Sequence, residues 1–334
     1  MHINCHTHYV DPGKLSFIGF ADNQLYYFEY IENHETPLGR IREITLKSPF
    51  KCHNLVGSFN GLLCLKGPKQ RFCICNPITK EYVILPEPVR KYDYNKYRWT
   101  GFGYLPSIGE YKVVLVCYEE RHFVYVMVYT LASGNGWRNI GKFNLEFDHG
   151  CYEPGIFVDG ALHWKDRDRK MIIVFDMADE KFRESLSLPV DKRNYHNLGV
   201  FDGLLYYVVV FFDSVVNHWC SDIWMHKKKN TNYDRKEQTT LDWSKEFTVA
   251  TSDSTPLAVT KTGGILGCAS YCPWYLHIYD PKASASIRRV DFQVRFCQVI
   301  PYKNTLVSLK ELEEEGTIIM QLVKKRKRRA NSWS

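Results

Sequence analysis

Asn60-Gly61-Leu62-Leu63-Cys64-Leu65, running on to Ile74-Cys75-Asn76-Pro77, is the stretch that decides the fold, because it returns along the chain. It comes back as Asp159-Gly160-Ala161-Leu162-His163-Trp164 with Ile173-Val174-Phe175-Asp176, and as Asp202-Gly203-Leu204-Leu205-Tyr206-Tyr207 with Asp222-Ile223-Trp224. The last copy is Gly263-Gly264-Ile265-Leu266-Gly267 with Leu276-His277-Ile278-Tyr279-Asp280-Pro281. Each copy sets a glycine after a short residue, then an apolar strand, then a second strand marked by Asn or Asp. Self-similarity at a spacing of about 40 to 60 residues, with strand rather than helical content, is the mark of a β-propeller made of four-stranded blades. That architecture is all-β and points to binding rather than catalysis.

Outward from the cassettes, strand signals continue in both directions. Phe17–Phe20 and Leu25–Tyr30 read as a hairpin around Ala21-Asp22-Asn23-Gln24, followed by a strand over Arg40–Leu46. Tyr111–Tyr118, Val124–Leu131 and Trp137–Ile140 form another hairpin-rich blade after Gly101-Phe102-Gly103-Tyr104. Phe296–Tyr302, Leu306–Leu309 and Ile318–Val323 supply closing strands. The polar stretch His226–Asp242, with Lys227-Lys228-Lys229, is expected to be an exposed loop that interrupts a blade. The count is six to seven sheet units, with no 3.6-residue periodicity that forces a helix.

The cassette residues follow from packing. Blades stack face to face, so their middle strands are buried on both sides and become continuous apolar runs such as Leu204–Val210. Gly61, Gly160, Gly203 and Gly264 precede those runs, where a tight turn wants a positive φ or the backbone approaches a neighbour closely. Asp176 and Asp280 follow strands and are expected to cap turns through their carboxylates.

The 334 residues are 45% hydrophobic and 15% aromatic, enough for a large core in one closed β unit. The formal charge of +7 comes almost entirely from Lys324, Lys325, Arg326, Lys327, Arg328 and Arg329; without them 38 basic side chains face 37 acidic ones. The body therefore lacks the electrostatic footprint of a phosphate-binding surface, and nucleic acid is not expected as a primary partner. The basic run itself reads either as a nuclear localisation signal or as a solvated tail. Eleven cysteines, an odd number, are scattered mostly inside strands, and no Asn-x-Ser/Thr acceptor occurs. The longest apolar run, Leu204–Phe212, is nine residues, too short to span a bilayer as a helix. The expectation is a reduced intracellular compartment, cytoplasmic or nuclear, with no membrane association.

Chemistry is thinly represented. His2, Cys5, His6 and His8 are zinc-type donors but sit together at one terminus rather than on spaced structured elements, so no metal site is expected. Cys73-x-Cys75 places two thiols on one strand face for packing. No Gly-x-Ser-x-Gly elbow, His-Glu-x-x-His pair or Walker-type loop is present, and neither catalytic residues nor a cofactor are expected. The candidates for partner contact are aromatic: Tyr92, Tyr94, Tyr97, Trp99, Trp219 and Trp274. The same side chains can equally pack between blades.

Several landmarks resemble a known family. Asn54–Leu65 followed by Cys75-Asn76-Pro77-Ile78-Thr79-Lys80-Glu81 and Leu85-Pro86 resembles the opening of the plant F-box-associated domain. Gly101-Phe102-Gly103-Tyr104 with Tyr111-Lys112-Val113-Val114, Phe157–Trp164 with Phe175–Glu184, Leu198-Gly199-Val200, Asp222-Ile223-Trp224-Met225 and Trp243–Thr248 are similar to its later landmarks, in the same order. The resemblance implies a kelch-like β-propeller, S-locus F-box-like, that recruits an unknown target protein to a Skp1–cullin–F-box ubiquitin ligase. The family places a leucine-rich helical F-box before this domain, and nothing in Met1–Ser16 resembles it. Residues 1–16 are therefore expected to be an extension, 17–323 the propeller and 324–334 a basic disordered tail. A Skp1-type adaptor is expected to bind only where an F-box lies upstream. The alternative is an F-box-less scaffold or decoy that holds the same target without ubiquitination; a propeller enzyme or glycan-binding lectin is a third class.

Overall fold

The cassette forms the first hairpin of a blade, and its turn chemistry is visible in the backbone. Asn60 and Gly61 have φ of 51° and 83°, Asp159 and Gly160 48° and 74°, Asp202 and Gly203 49° and 74°. Two consecutive positive φ values define a type I′ turn, whose twist matches that of the strands it joins, and Asn-Gly and Asp-Gly are the pairs that adopt it most cheaply. The fourth copy uses Gly263 for the positive φ, 81°; Gly264 is instead crowded, since a Cβ there would lie 3.0 Å from Ile278.

The computed structural model describes residues 14–22, 24–31, 41–44, 54–68, 71–88, 98–120, 123–145, 154–166, 171–189, 196–215, 217–230, 239–249, 255–268, 275–280, 285–292 and 294–320. Every element in them is a strand. Blade 1 begins with β1 (Lys14–Ala21), β2 (Gln24–Ile31) and β3 (Arg42–Ile44). Blade 2 is β4 (Asn54–Phe59), β5 (Leu62–Lys66), β6 (Phe72–Asn76) and β7 (Glu81–Ile84). Blade 3 is β8 (Arg98–Leu105), β9 (Glu110–Glu120), β10 (Phe123–Thr130) and β11 (Trp137–Asn144). Blade 4 is β12 (Ile156–Val158), β13 (Ala161–Asp166) and β14 (Met171–Asp176), with an outer strand split into β15 (Lys181–Phe182) and β16 (Leu186–Ser187). Blade 5 is β17 (His196–Phe201), β18 (Leu204–Asp213), β19 (His218–Asn230) and β20 (Thr239–Val249). Blade 6 is β21 (Thr255–Val259), β22 (Ile265–Cys268), β23 (Tyr275–Asp280) and β24 (Ala285–Asp291). The chain then returns to blade 1, where β25 (Gln298–Pro301) pairs with β1 as the innermost strand, and β26 (Ile318–Ile319) joins the outer edge of β7. There are six blades, the lower of the two expected counts.

Six apolar clusters show that the ring is closed. Each joins one pair of neighbouring blades, from Ile18 and Phe20 against Leu63 and Leu65 between blades 1 and 2, round to Leu257 and Leu266 against Phe17 and Phe28 between blades 6 and 1. Alternation along a middle strand feeds two of them at once: Leu62 and Cys64 face blade 3, Leu63 and Leu65 face blade 1. The innermost strands touch in sequence around the axis.

Between blades 3 and 4 the two backbones are joined directly. Gly101 and Gly155 form a parallel bridge, and the Gly155 N–H donates to Thr100 O at 2.7 Å. A Cβ on Gly101 would meet Leu162 at 2.5 Å and one on Gly103 would meet Phe157 at 2.4 Å, which accounts for both glycines of Gly101-Phe102-Gly103. Trp164 fills the same seam, 1% exposed, stacked on Trp99 at 5.7 Å and donating its indole N–H to Thr100 O at 3.1 Å.

Two expectations change. The polar stretch 226–242 does not interrupt blade 5: β19 and β20 stay paired from Ser221 against Val249 out to Asn230 against Thr239, leaving residues 231–238 between them outside the described set. Polar side chains here pair across the strands instead of ending the ladder, as Lys227 does 2.6 Å from Glu246. Leu306–Leu309 is not a strand; side chains of blade 2 hold it instead. β1 starts at Lys14, ahead of the expected Phe17, and β3 covers Arg42–Ile44 of the expected strand Arg40–Leu46, whose Arg40, Thr45 and Leu46 lie outside the described residues.

Candidate interaction surfaces

Strand direction gives the ring two faces. The upper face carries the Asn60-Gly61, Asp159-Gly160 and Asp202-Gly203 turns together with the turns after β6 and β14. The lower face carries the β18–β19 turn and the strand ends where the chain passes between blades.

On the upper face, the segment from Tyr302 to Thr317 lies as a strap over blades 2 and 3. Asn76, fully buried, directs its Oδ1 to the Ile78 N–H at 2.9 Å, which shapes its own turn. This leaves both amide hydrogens for the strap, donated to Thr305 O at 3.1 Å and Val307 O at 2.8 Å. Glu81, 6% exposed, accepts from the Leu309 N–H at 2.7 Å and the Ser308 hydroxyl at 3.0 Å. Thr305 donates to Asn60 O at 2.6 Å, Tyr302 to Gly61 O at 3.1 Å, and Leu309 is fully buried between blades 2 and 3. Farther on, buried Glu314 accepts from the Tyr129 hydroxyl at 2.6 Å and from the Ala132 N–H. Burial, followed by the Glu314 contact, pushes the Tyr129 hydroxyl well above its ordinary range.

The matching turn of blade 4 uses Asp176 in place of Asn76. Its Oδ1 accepts from the Ala178 and Asp179 N–H groups at 2.8 Å each, as the sequence led one to expect, and its Oδ2 takes the Arg183 guanidinium. Beside it Glu180 ties blade 4 to blade 3 through Lys112 Nζ at 3.0 Å and Arg138 at 2.6 Å. Burial alone raises the Glu180 carboxyl, but the hydrogen bonds from Arg138 and Lys112 outweigh it and hold it below the ordinary range. These charged groups are joints between blades. Asp280 ends β23 ahead of residues 281–284, which lie outside the described residues.

His163, 8% exposed near the seam of blades 4 and 5, has Nδ1 3.2 Å from Ile156 O, and burial lowers its pKa to about 4. Protonation therefore favours the unfolded chain. The stabilisation is complete above about pH 6.5 and is lost as pH falls from there to about 4, on the order of 3 kcal/mol in all. Denaturant midpoints measured across that interval should decline, and His163→Asn should flatten the decline; superimposable curves would remove His163 as its cause.

The expected contact aromatics separate. Trp99 is 1% exposed and packed on Trp164 between blades, so it is a core residue that no partner reaches. Trp219 is 45% exposed on the lower face and packs edge-to-face on Phe212 at 5.5 Å, directly across the β18–β19 hairpin. Phe212, 49% exposed, and Val215, 92% exposed at the turn, were not singled out from sequence. The signal was there, since the apolar run of β18 continues past the point where the blade ends. Tyr92, Tyr94, Tyr97, Trp274 and the run Lys324, Lys325, Arg326, Lys327, Arg328 and Arg329 lie outside the described residues, as do His2, Cys5, His6 and His8. Among the described residues no three His, Cys, Asp or Glu side chains converge as metal ligands. No helix among them is long and apolar enough to cross a membrane.

Comparison with known proteins places this ring. Residues 14–313 match the profile of the F-box associated beta propeller domain. The F-box protein At3g07870 of Arabidopsis thaliana is 29% identical over 229 residues, 59% of this chain and 51% of the relative. The F-box protein At2g16450 of the same plant is 25% identical over 301 residues, 76% of this chain and 67% of the relative. Alignment with At5g49610 likewise takes in 54% of that protein, so the chain spans about half the length of several of these relatives. Among solved structures, a chain of a nidogen/laminin complex aligns at 13% identity and a TM-score of 0.43, covering 87% of this chain and 99% of that one. With a profile match that runs from β1 into the strap, the chain belongs to the F-box-associated β-propeller family.

Proposed function

We propose that this chain is the target-binding module of an F-box protein, which recruits a protein to a Skp1–cullin–F-box ubiquitin ligase for ubiquitination. The family match over residues 14–313 carries the reading, and the F-box proteins among its relatives support it. The chain's own contribution is a rigid closed ring that presents loops, the arrangement by which scaffolds hold binding residues. The test is recovery of the tagged protein, expressed from its native locus, with and without proteasome inhibition. Joint recovery of a Skp1-type adaptor and of a protein whose level rises on inhibition is the expected result. A retained protein with no adaptor and no ubiquitin dependence would favour the scaffold reading instead.

The protein acts inside the cell, and the run Lys324–Arg329 directs part of it to the nucleus. Neutralising all six cations should abolish nuclear accumulation while leaving thermal unfolding unchanged, since the run follows the last described strand. A neutralised variant that stays nuclear would sink the localisation reading.

A further inference from the structure

We infer that the β18–β19 hairpin tip on the lower face is the anchor by which the ring seizes its target, and that the target presents a concave apolar pocket to it. This rests on the target-binding reading above. Phe212 and Trp219 lie opposite each other in register and pack edge-to-face, with Val215 exposed at the turn between them. Asp213 Oδ1 accepts from the Val215 N–H at 2.8 Å, which fixes Val215 relative to the end of β18. Aromatic side chains that stand out preorganised cost little entropy to bury, which is why Trp and Tyr dominate contact energy at interfaces.

The amount of surface decides what covers it. From their exposures the three side chains offer on the order of 300 Å² of apolar surface, within the range of functional patches on monomers. A second copy meeting it tip to tip would bury far less than the roughly 800 Å² per partner of a stable interface. A convex knob reaches that scale only when a concave surface wraps its sides, so the occupant is a different protein with a pocket. The upper face is the poorer site, because the strap already occupies it over blades 2 and 3.

The test uses the target recovered by the full-length protein, purified and titrated against the wild type, Val215→Asp, Trp219→Ala and, as an opposite-face control, Leu306→Asp at the 79% exposed strap position. Val215→Asp and Trp219→Ala should each weaken the dissociation constant at least 30-fold, with Leu306→Asp within twofold of wild type. Binding that survives Val215→Asp overturns the anchor while leaving target recruitment intact. Self-association in ultracentrifugation that Val215→Asp abolishes also overturns it, in favour of a second copy as occupant. Recovery of no target at all counts against both readings.

Discussion

Replacing Trp164 by alanine is expected to cost about 3 to 5 kcal/mol, enough to threaten the folded state of the whole ring. The side chain is 1% exposed, stacks on Trp99 with an interplanar angle of 12°, and spans a seam that glycines hold too tight for compensation. A Cβ on Gly155 would already lie 2.6 Å from the indole, so the backbone there was shaped around this ring. Truncation leaves a cavity and also strips Thr100 O of the indole donor. Denaturant unfolding of Trp164→Ala beside Trp219→Ala checks the argument, since the exposed Trp219 should change stability by no more than about 0.5 kcal/mol. Trp224, half-buried against blades 4 and 5 with its indole N–H unpartnered among the described residues, should fall between them. Equal stability of all three variants would mean that blade contacts do not hold the ring.

The second large effect is expected from Asn76→Asp, a change of almost no volume. The amide at 76 gives its two hydrogens to carbonyls of the strap from a fully buried position. A carboxylate there would set oxygen against oxygen, and an uncompensated buried charge costs about 3 to 5 kcal/mol. Asn76→Ala removes the same hydrogen bonds without adding charge, at about 1 to 3 kcal/mol. Hydrogen exchange at the Val307 and Leu309 amides should accelerate in both variants, more in Asn76→Asp, while β13 and β14 stay protected. Unchanged exchange at those amides would show that Asn76 does not hold the strap.

What could be read beforehand was what neighbouring residues decide among themselves. Asn60-Gly61 and Asp202-Gly203 announce turns because the required φ values are local. Leu205–Val210 announces a strand buried on both sides because both stacking neighbours demand apolar contact. The strap was not legible, since Leu306–Leu309 has the composition of a strand and owes its path to Asn76 and Glu81, more than 220 residues earlier. The contact residues were half legible. Trp99 and Trp219 are the same residue type, and only the three-dimensional arrangement separates the buried one from the exposed one.

The return of β25 to β1 sets the order in which the molecule can be made. Phe17 waits for Pro301, 284 residues later, before blade 1 has its inner strand. At about 5 to 20 residues per second, that is roughly 15 to 60 seconds during which a growing chain holds an unpaired strand edge open to other chains. Five blades can stack in that time, but no ring exists until the sixth has been followed by β25. A chain cut short anywhere before that point is a ribbon with two sticky ends, so a closed ring is itself proof that synthesis has passed Pro301.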